Sequence, residues 1–267
     1  MLCVFGLCFY LNAWLYTPEV EPREAQPRGL WKIIVVAIIY HMRKTNFFND
    51  GFYHIYNRGV LKQPIFFENV DYSRFVHNLY EFNDTNRKIV EVEPREAQPR
   101  GLGREPVVAI IAWCLMPNHF HLFVQQLKEG GVSSFMHKLG TGYTTFINKK
   151  YERSGHVFQG RFRAKSIDKE NYFLHISRYI HLNPVEFIEP NWKKDGIKDW
   201  QKTQEFLERY KWSSYQDWIG KKNIPAILDL SSVKGMFLSV KMYKKFLREW
   251  ADKKEVEPRE VQPWGDL

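Results

Sequence analysis

Residues 107–126, VVAIIAWCLMPNHFHLFVQQ, place apolar β-branched and aromatic side chains on both sides of a Pro-Asn break. The pattern predicts two strands joined by a tight bend. In the second strand His119, Phe120 and His121 alternate polar and apolar. At the two-residue strand period both imidazoles share one face, and Phe120 points to a core. The period changes after Ser133 and Ser134, either of which is a candidate helix cap. Phe135, Met136, Leu139, Tyr143, Phe146 and Ile147 fall near helical spacing, with Gly140 and Gly142 as weak points. A second amphipathic run, Phe173, Leu174, Ile176, Ile180 and Leu182, stops at Asn183-Pro184. The remainder to residue 254 reads as small helices, with Trp192, Trp200, Trp212, Trp218 and Trp250 as core anchors and not a base-stacking ladder.

One pattern has no helix or strand period at all. EVEPREAQPRGL occurs at 19–30 and again, identically, at 91–102, and a degraded copy, EVEPREVQPWGDL, occupies 255–267. Each copy carries two prolines and several charges, so each reads as an exposed segment with no core to build. Identity without structural demand points to recent copying of DNA, and suitable codons would make the peptide a translated hairpin. Residues 1–41 are apolar at first, lack the basic start of a signal peptide, and read as a non-domain extension; a membrane anchor is the competing reading. The expected division is therefore 1–41 as extension, 42–165 as catalytic domain with the insertion at 91–102, 166–254 as a helical region, and 255–267 as a repeat tail.

Charge then narrows the function. The 267 residues carry a formal +9, with 16% aromatic and 44% hydrophobic content. This excludes a mainly disordered chain, and three cysteines without a CxxC pair exclude a disulfide scaffold or a structural zinc site. The excess is localised: residues 42–90 carry +2 and residues 103–254 carry +11. Lys138, Lys149, Lys150, Arg153, Arg161, Arg163 and Lys165 are interleaved with Tyr143, Phe146, Tyr151, Phe158 and Phe162. Cations that track phosphates beside rings that stack on bases suit single-stranded nucleic acid. The His119–His121 pair can hold a divalent metal but needs a third ligand from elsewhere.

MPNHFHLFV, GYTTFINKKY, RSGHVFQGRFRAKSI and YIHLNPV, in that order, resemble the single-tyrosine HUH transposases, and more closely their REP-associated branch. GFYHIYNRGV at 51–60 is similar to that family's opening strand, and YKWSSYQDWIG at 210–220 to its C-terminal helical region. The resemblance implies an α+β fold: a ferredoxin-like antiparallel sheet with packed helices, followed by a small C-terminal helical region. It implies that His119 and His121 bind Mg²⁺ or Mn²⁺ and that Tyr143 is the nucleophile. Asn148 is the local candidate for a third metal ligand, although relatives of the insertion-sequence type put a Gln four residues after the tyrosine, where this chain has Ile147. His54, on the opening strand, is a supporting candidate. The implied partner is single-stranded or hairpin DNA, handled in the cytoplasm without a membrane or a small-molecule cofactor, by a monomer or a homodimer.

The implied reaction is strand transfer. A phenol of pKa near 10 needs help to attack at neutral pH. Attack on a phosphodiester would leave a 5′-phosphotyrosine and a free 3′-OH, conserving the bond energy for rejoining. Two other functions fit the same residues: an inactive protein that only holds DNA or RNA hairpins, and a metal-dependent phosphodiesterase that releases a 5′-phosphate without a covalent intermediate.

Overall fold

The computed structural model describes residues 45–85, 104–167, 170–233, 235 and 239–251. The three repeat copies and the 1–41 extension lie outside the described residues. All elements below belong to the compact unit Phe47–Leu267.

In chain order the unit runs β1 (Phe52–Arg58), α1 (Asn69–Glu81), β2 (Val108–Met116), β3 (His119–Gln126), α2 (Gly131–Lys150), β4 (Arg163–Ser166) and α3 (Glu170–Leu182). The strands form one sheet in the order β2-β3-β1-β4, with each neighbouring pair antiparallel. This βαββαβ succession with β1 and β3 in the centre is the expected ferredoxin-like arrangement. Pro117 and Asn118 make the tight bend between β2 and β3.

The two faces of the sheet are covered by different helices. Ile55, Trp113, Leu115, Phe120 and Leu122 pack with Phe75 of α1 and Leu139, Tyr143 and Ile147 of α2. Ala112, Cys114, Met116 and Phe123 pack on the other face with Phe173, Ile176, Tyr179 and Ile180 of α3. Double coverage explains why β2 is buried at every position and reads as an unbroken apolar run. A register shift between Ile110 and Ala112 turns Ile111 and Ala112 together toward α3.

Local chemistry sets the helix ends. α2 begins at Gly131 after Gly130 in the left-handed region (φ 66°), so neither Ser133 nor Ser134 caps it. Both serines lie inside its first turn. The helix passes unbroken through Gly142, because a Cβ there would come within 2.6 Å of the Phe82 ring at the end of α1. Close helix–helix approach outweighs the glycine's poor propensity.

α1 starts with a reciprocal capping box between Glu68 and Asp71. Asp71, fully buried, accepts from the Phe67 and Glu68 backbone N–H groups, from Lys150 Nζ (2.6 Å) and from the Tyr151 hydroxyl (2.8 Å). Burial alone would raise its pKa; Lys150, the two N–H groups and Tyr151 together hold it below the usual 3.8. Asp71→Asn is expected to cost about 2 kcal/mol at pH 7. This contribution is complete above the unfolded value and is lost as pH falls through the lower folded value. Urea unfolding should therefore separate the two proteins at neutral pH and bring their midpoints together in acid; a pH-independent gap would contradict the assignment.

The C-terminal region consists of α4 (Trp192–Asp195), α5 (Trp200–Leu207), α6 (Tyr215–Trp218) and α7 (Val240–Ala251) with short 3-10 turns. It covers the β2 edge through Leu115 N–H to Trp212 O (2.9 Å), Ser214 N–H to Trp113 O (3.0 Å) and Asp229 N–H to Ile110 O (2.8 Å). The tryptophans act as anchors, as their spacing suggests. Trp192 is buried, Trp200, Trp218 and Trp250 pack against the same cluster, and Trp212 stacks on Tyr72.

Candidate active site

The strand period puts His119 and His121 on the α3 side of the sheet, opposite Phe120, with ring centroids 5.0 Å apart. Tyr56 of β1 pairs with His121, so His54, two residues earlier, lies on the same face. His54 Nε2 and His121 Nδ1 are 2.9 Å apart, one donating to the other. His121 Nε2 is buried and has no hydrogen-bond partner. With His54 accepting from His121 Nδ1–H, the His121 Nε2 lone pair is left for a ligand.

Burial keeps these rings neutral. It lowers His54 to about 3, helped by the charge of Lys165. It drives His121 well below 6.5, reinforced by the two neighbouring imidazoles and Lys193. His119 falls to about 4, chiefly from burial, with Glu186 and Asn183 opposing and Lys193 and Arg58 assisting. Neutral imidazoles are the state that binds a metal.

α3 completes this face. The Tyr179 ring stands edge-on to His121 (5.4 Å) and to His54 (5.7 Å). Asn183, four residues later and just past the helix end, returns to the same side. Its Nδ2 donates to Tyr179 O (2.8 Å), while its buried Oδ1 lies toward His119 without a well-formed hydrogen bond. α7 clamps the helix on both sides of Tyr179. The Arg178 guanidinium lies over the Phe246 (4.2 Å) and Trp250 (3.8 Å) rings, and His181 bridges the Tyr243 hydroxyl and Ser214 Oγ.

Among the described residues no three His, Cys, Asp or Glu side chains are grouped for a metal ion. The donors that do converge are two imidazoles and a carboxamide. Two of their atoms, His121 Nε2 and Asn183 Oδ1, are buried and unpaired. The carboxamide oxygen suits Mg²⁺ or Mn²⁺ and the imidazoles suit softer divalent ions, so this donor set accepts a divalent ion without selecting one.

Several sequence-predicted site residues lie elsewhere. Tyr143 is fully buried in the core between the sheet, α1 and α2, on the face opposite the histidines. It is set in the Leu139–Tyr143–Ile147 stripe of α2, T-shaped against Phe75 (5.0 Å), and its hydroxyl donates to Ile65 O (2.6 Å). Its place in the core on the face opposite the histidines keeps Tyr143 out of this site, and burial pushes its pKa far above 10. Asn148 is on the same helix and donates to Gly155 O (2.9 Å), away from both histidines; it is not placed to be their third ligand.

The seven cations also divide. Lys138, Lys149 and Lys150 sit on α2, on the far side of the sheet from the histidines, and Lys150 is occupied by Glu68 and Asp71. Arg153 and Arg161 lie in the segment between α2 and β4. Arg163 and Lys165, on β4, pair with Tyr56 and His54 and so share the histidine face. His54 is brought into the site as a partner of His121.

Tyr179 and Asn183 were absent from the sequence-based candidates, yet a signal for them existed. The segment YIHLNPV has a polar residue four positions after its tyrosine, the spacing that Tyr143 lacks.

Residues 96–183 match the model of the family described as IS200-like transposase. The matched stretch covers about a third of the chain, contains His119, His121 and Tyr179, and ends at Asn183. The transposase resemblance read from the motifs is borne out by this match. No curated protein matches. Among solved structures, a REP-associated tyrosine transposase bound to a REP hairpin is similar at 14% identity and TM-score 0.46, covering 71% of this chain and 94% of that one. A candidate transposase from Deinococcus radiodurans R1 is similar at 12% identity and TM-score 0.31, covering 52% and 95%.

Proposed function

We propose that this chain is a transposase-type single-stranded DNA endonuclease and strand transferase that acts on hairpin DNA through a 5′-phosphotyrosine. The observation that supports this most is the placement of Tyr179 against His54 and His121, with Asn183 and His119 on the same face. On this reading the catalytic part runs through α3, beyond residue 165.

The nucleophile is the Tyr179 hydroxyl. Its oxygen bonds to the scissile phosphorus as the bond to the 3′-oxygen breaks, leaving a free 3′-OH on one DNA piece. A later 3′-OH attacks the phosphotyrosine and restores the diester, so no nucleotide cofactor is required. His119, His121 and Asn183 would hold Mg²⁺ or Mn²⁺, which supplies charge neutralisation at the phosphate. His54 fixes the His121 tautomer that leaves Nε2 as an acceptor. Arg163 and Lys165, on the same face, are placed to receive the DNA backbone.

The test is denaturing electrophoresis of the protein after incubation with Mn²⁺ and a labelled hairpin oligonucleotide bearing a single-stranded extension. A covalent band carrying label from the 3′ side of the cut is expected. Cleavage to a 5′-phosphate without a covalent band would identify a phosphodiesterase, and binding without cleavage would identify a hairpin-binding protein.

A further inference from the structure

An ion pair at the edge of the histidine face has no part in the chemistry above. Glu186 lies in the 3-10 turn Asn183–Phe187 and Lys193 in α4, which buried Trp192 pins to the C-terminal core. Lys193 joins this turn, through Glu186, to the ring of Tyr179. Lys193 Nζ is 2.5 Å from Glu186 Oε1 and 5.4 Å from the centroid of the Tyr179 ring. Each side chain is one-third exposed, so the pair borders solvent. Both charges reach the imidazoles: Glu186 favours protonated His119, and Lys193 disfavours protonation of His119 and His121.

An ammonium over the ring of the attacking tyrosine, at an edge that borders solvent, is placed to meet an incoming phosphate. A one-third exposed ion pair is weak enough to exchange partners. A phosphate approaching this edge repels the Glu186 carboxylate and offers Lys193 another charge-assisted acceptor.

We infer that Lys193 is a further catalytic residue, which leaves Glu186 and donates to a non-bridging oxygen of the scissile phosphate. This rests on Tyr179 as the nucleophile. As the Tyr179 oxygen–phosphorus bond forms and the phosphorus–3′-oxygen bond breaks, the phenolic proton passes to solvent and the 3′-oxygen gains one. Negative charge grows on the non-bridging oxygens meanwhile, and a fixed ammonium stabilises that growth more than the bound substrate. Glu186 is the counter-ion that holds Lys193 in position until DNA enters, and it weakens binding of misplaced backbone phosphates.

The experiment measures single-turnover adduct formation with Mn²⁺ and a hairpin oligonucleotide, and hairpin affinity by anisotropy, for the wild type and four variants. Lys193→Met is expected to lower the rate at saturating DNA by about 10- to 100-fold while changing Kd less than about threefold. Lys193→Arg should recover the rate to within about fivefold, since it keeps the charge. Glu186→Gln should tighten hairpin binding at low salt, because it removes the carboxylate that repels the DNA backbone. A wild-type rate for Lys193→Met at saturation, whether or not Kd has weakened, overturns the proposal. Tyr179→Phe separates the two ideas: an adduct that survives it defeats the nucleophile assignment. An adduct lost in Tyr179→Phe but unchanged in Lys193→Met defeats Lys193 alone. Absence of any wild-type adduct overturns both.

Discussion

Tyr179→Phe is expected to reduce covalent adduct formation by at least about 10³-fold, because it removes the attacking atom itself. The ring and its edge contacts with His54 and His121 remain in the variant, so the fold and hairpin binding should change little. The paired control is Tyr143→Phe. The Tyr143 hydroxyl serves Ile65 O inside the core, so its loss should cost about 1 kcal/mol of stability and leave adduct formation near the wild-type rate. A gel that shows the opposite pattern, with the adduct lost in Tyr143→Phe and kept in Tyr179→Phe, would reverse the assignment. Such a result would require α2 to leave the sheet, since Tyr143 has no exposed surface.

The second large effect concerns the imidazoles. His119→Ala and His121→Ala are each expected to lower Mn²⁺-supported adduct formation by about 100-fold or more. Each should also weaken Mn²⁺ binding measured by calorimetry, a readout independent of DNA chemistry. His54→Ala should act more mildly, by about 10- to 100-fold, because it orients His121 without holding the ion. Asn183→Ala should resemble the histidine variants in metal affinity, while Asn148→Ala should not. Chelation with EDTA should stop the reaction of the wild type. Undiminished adduct in EDTA would exclude the His119–His121–Asn183 assignment.

Much of the fold was legible because it depends on local periods. The two-residue alternation in β3 put Phe120 and the histidines on opposite faces, as observed. The helical spacing of α2 and the stop of α3 at Asn183-Pro184 follow the apolar pattern closely. The site was legible only in part. The same stripe that marks Phe135, Leu139 and Ile147 as core includes Tyr143, and that periodicity was the evidence against its exposure. A short motif, GYTTFIN, competed with that pattern and led away from it. The basic cluster is contiguous in sequence, but the sheet separates its charges on α2 from those on β4.

The amino-acid sequence alone determined the histidine pair, the strand that carries it, the ferredoxin-like element order and the transposase resemblance. The histidine pair and its strand rest on spacings of a few residues, which backbone geometry converts into shared faces; the ferredoxin-like order is what the resemblance of the motifs implies. Which tyrosine meets the histidines was decided only by the tertiary structure. Tyr143 lies nearer to them in the chain than Tyr179 does, but a sheet buried on both sides places one helix on each face. Sequence distance carries no record of which face a helix covers; the packing of α3 through Phe173, Ile176 and Ile180, and its clamp by Arg178 and His181, does.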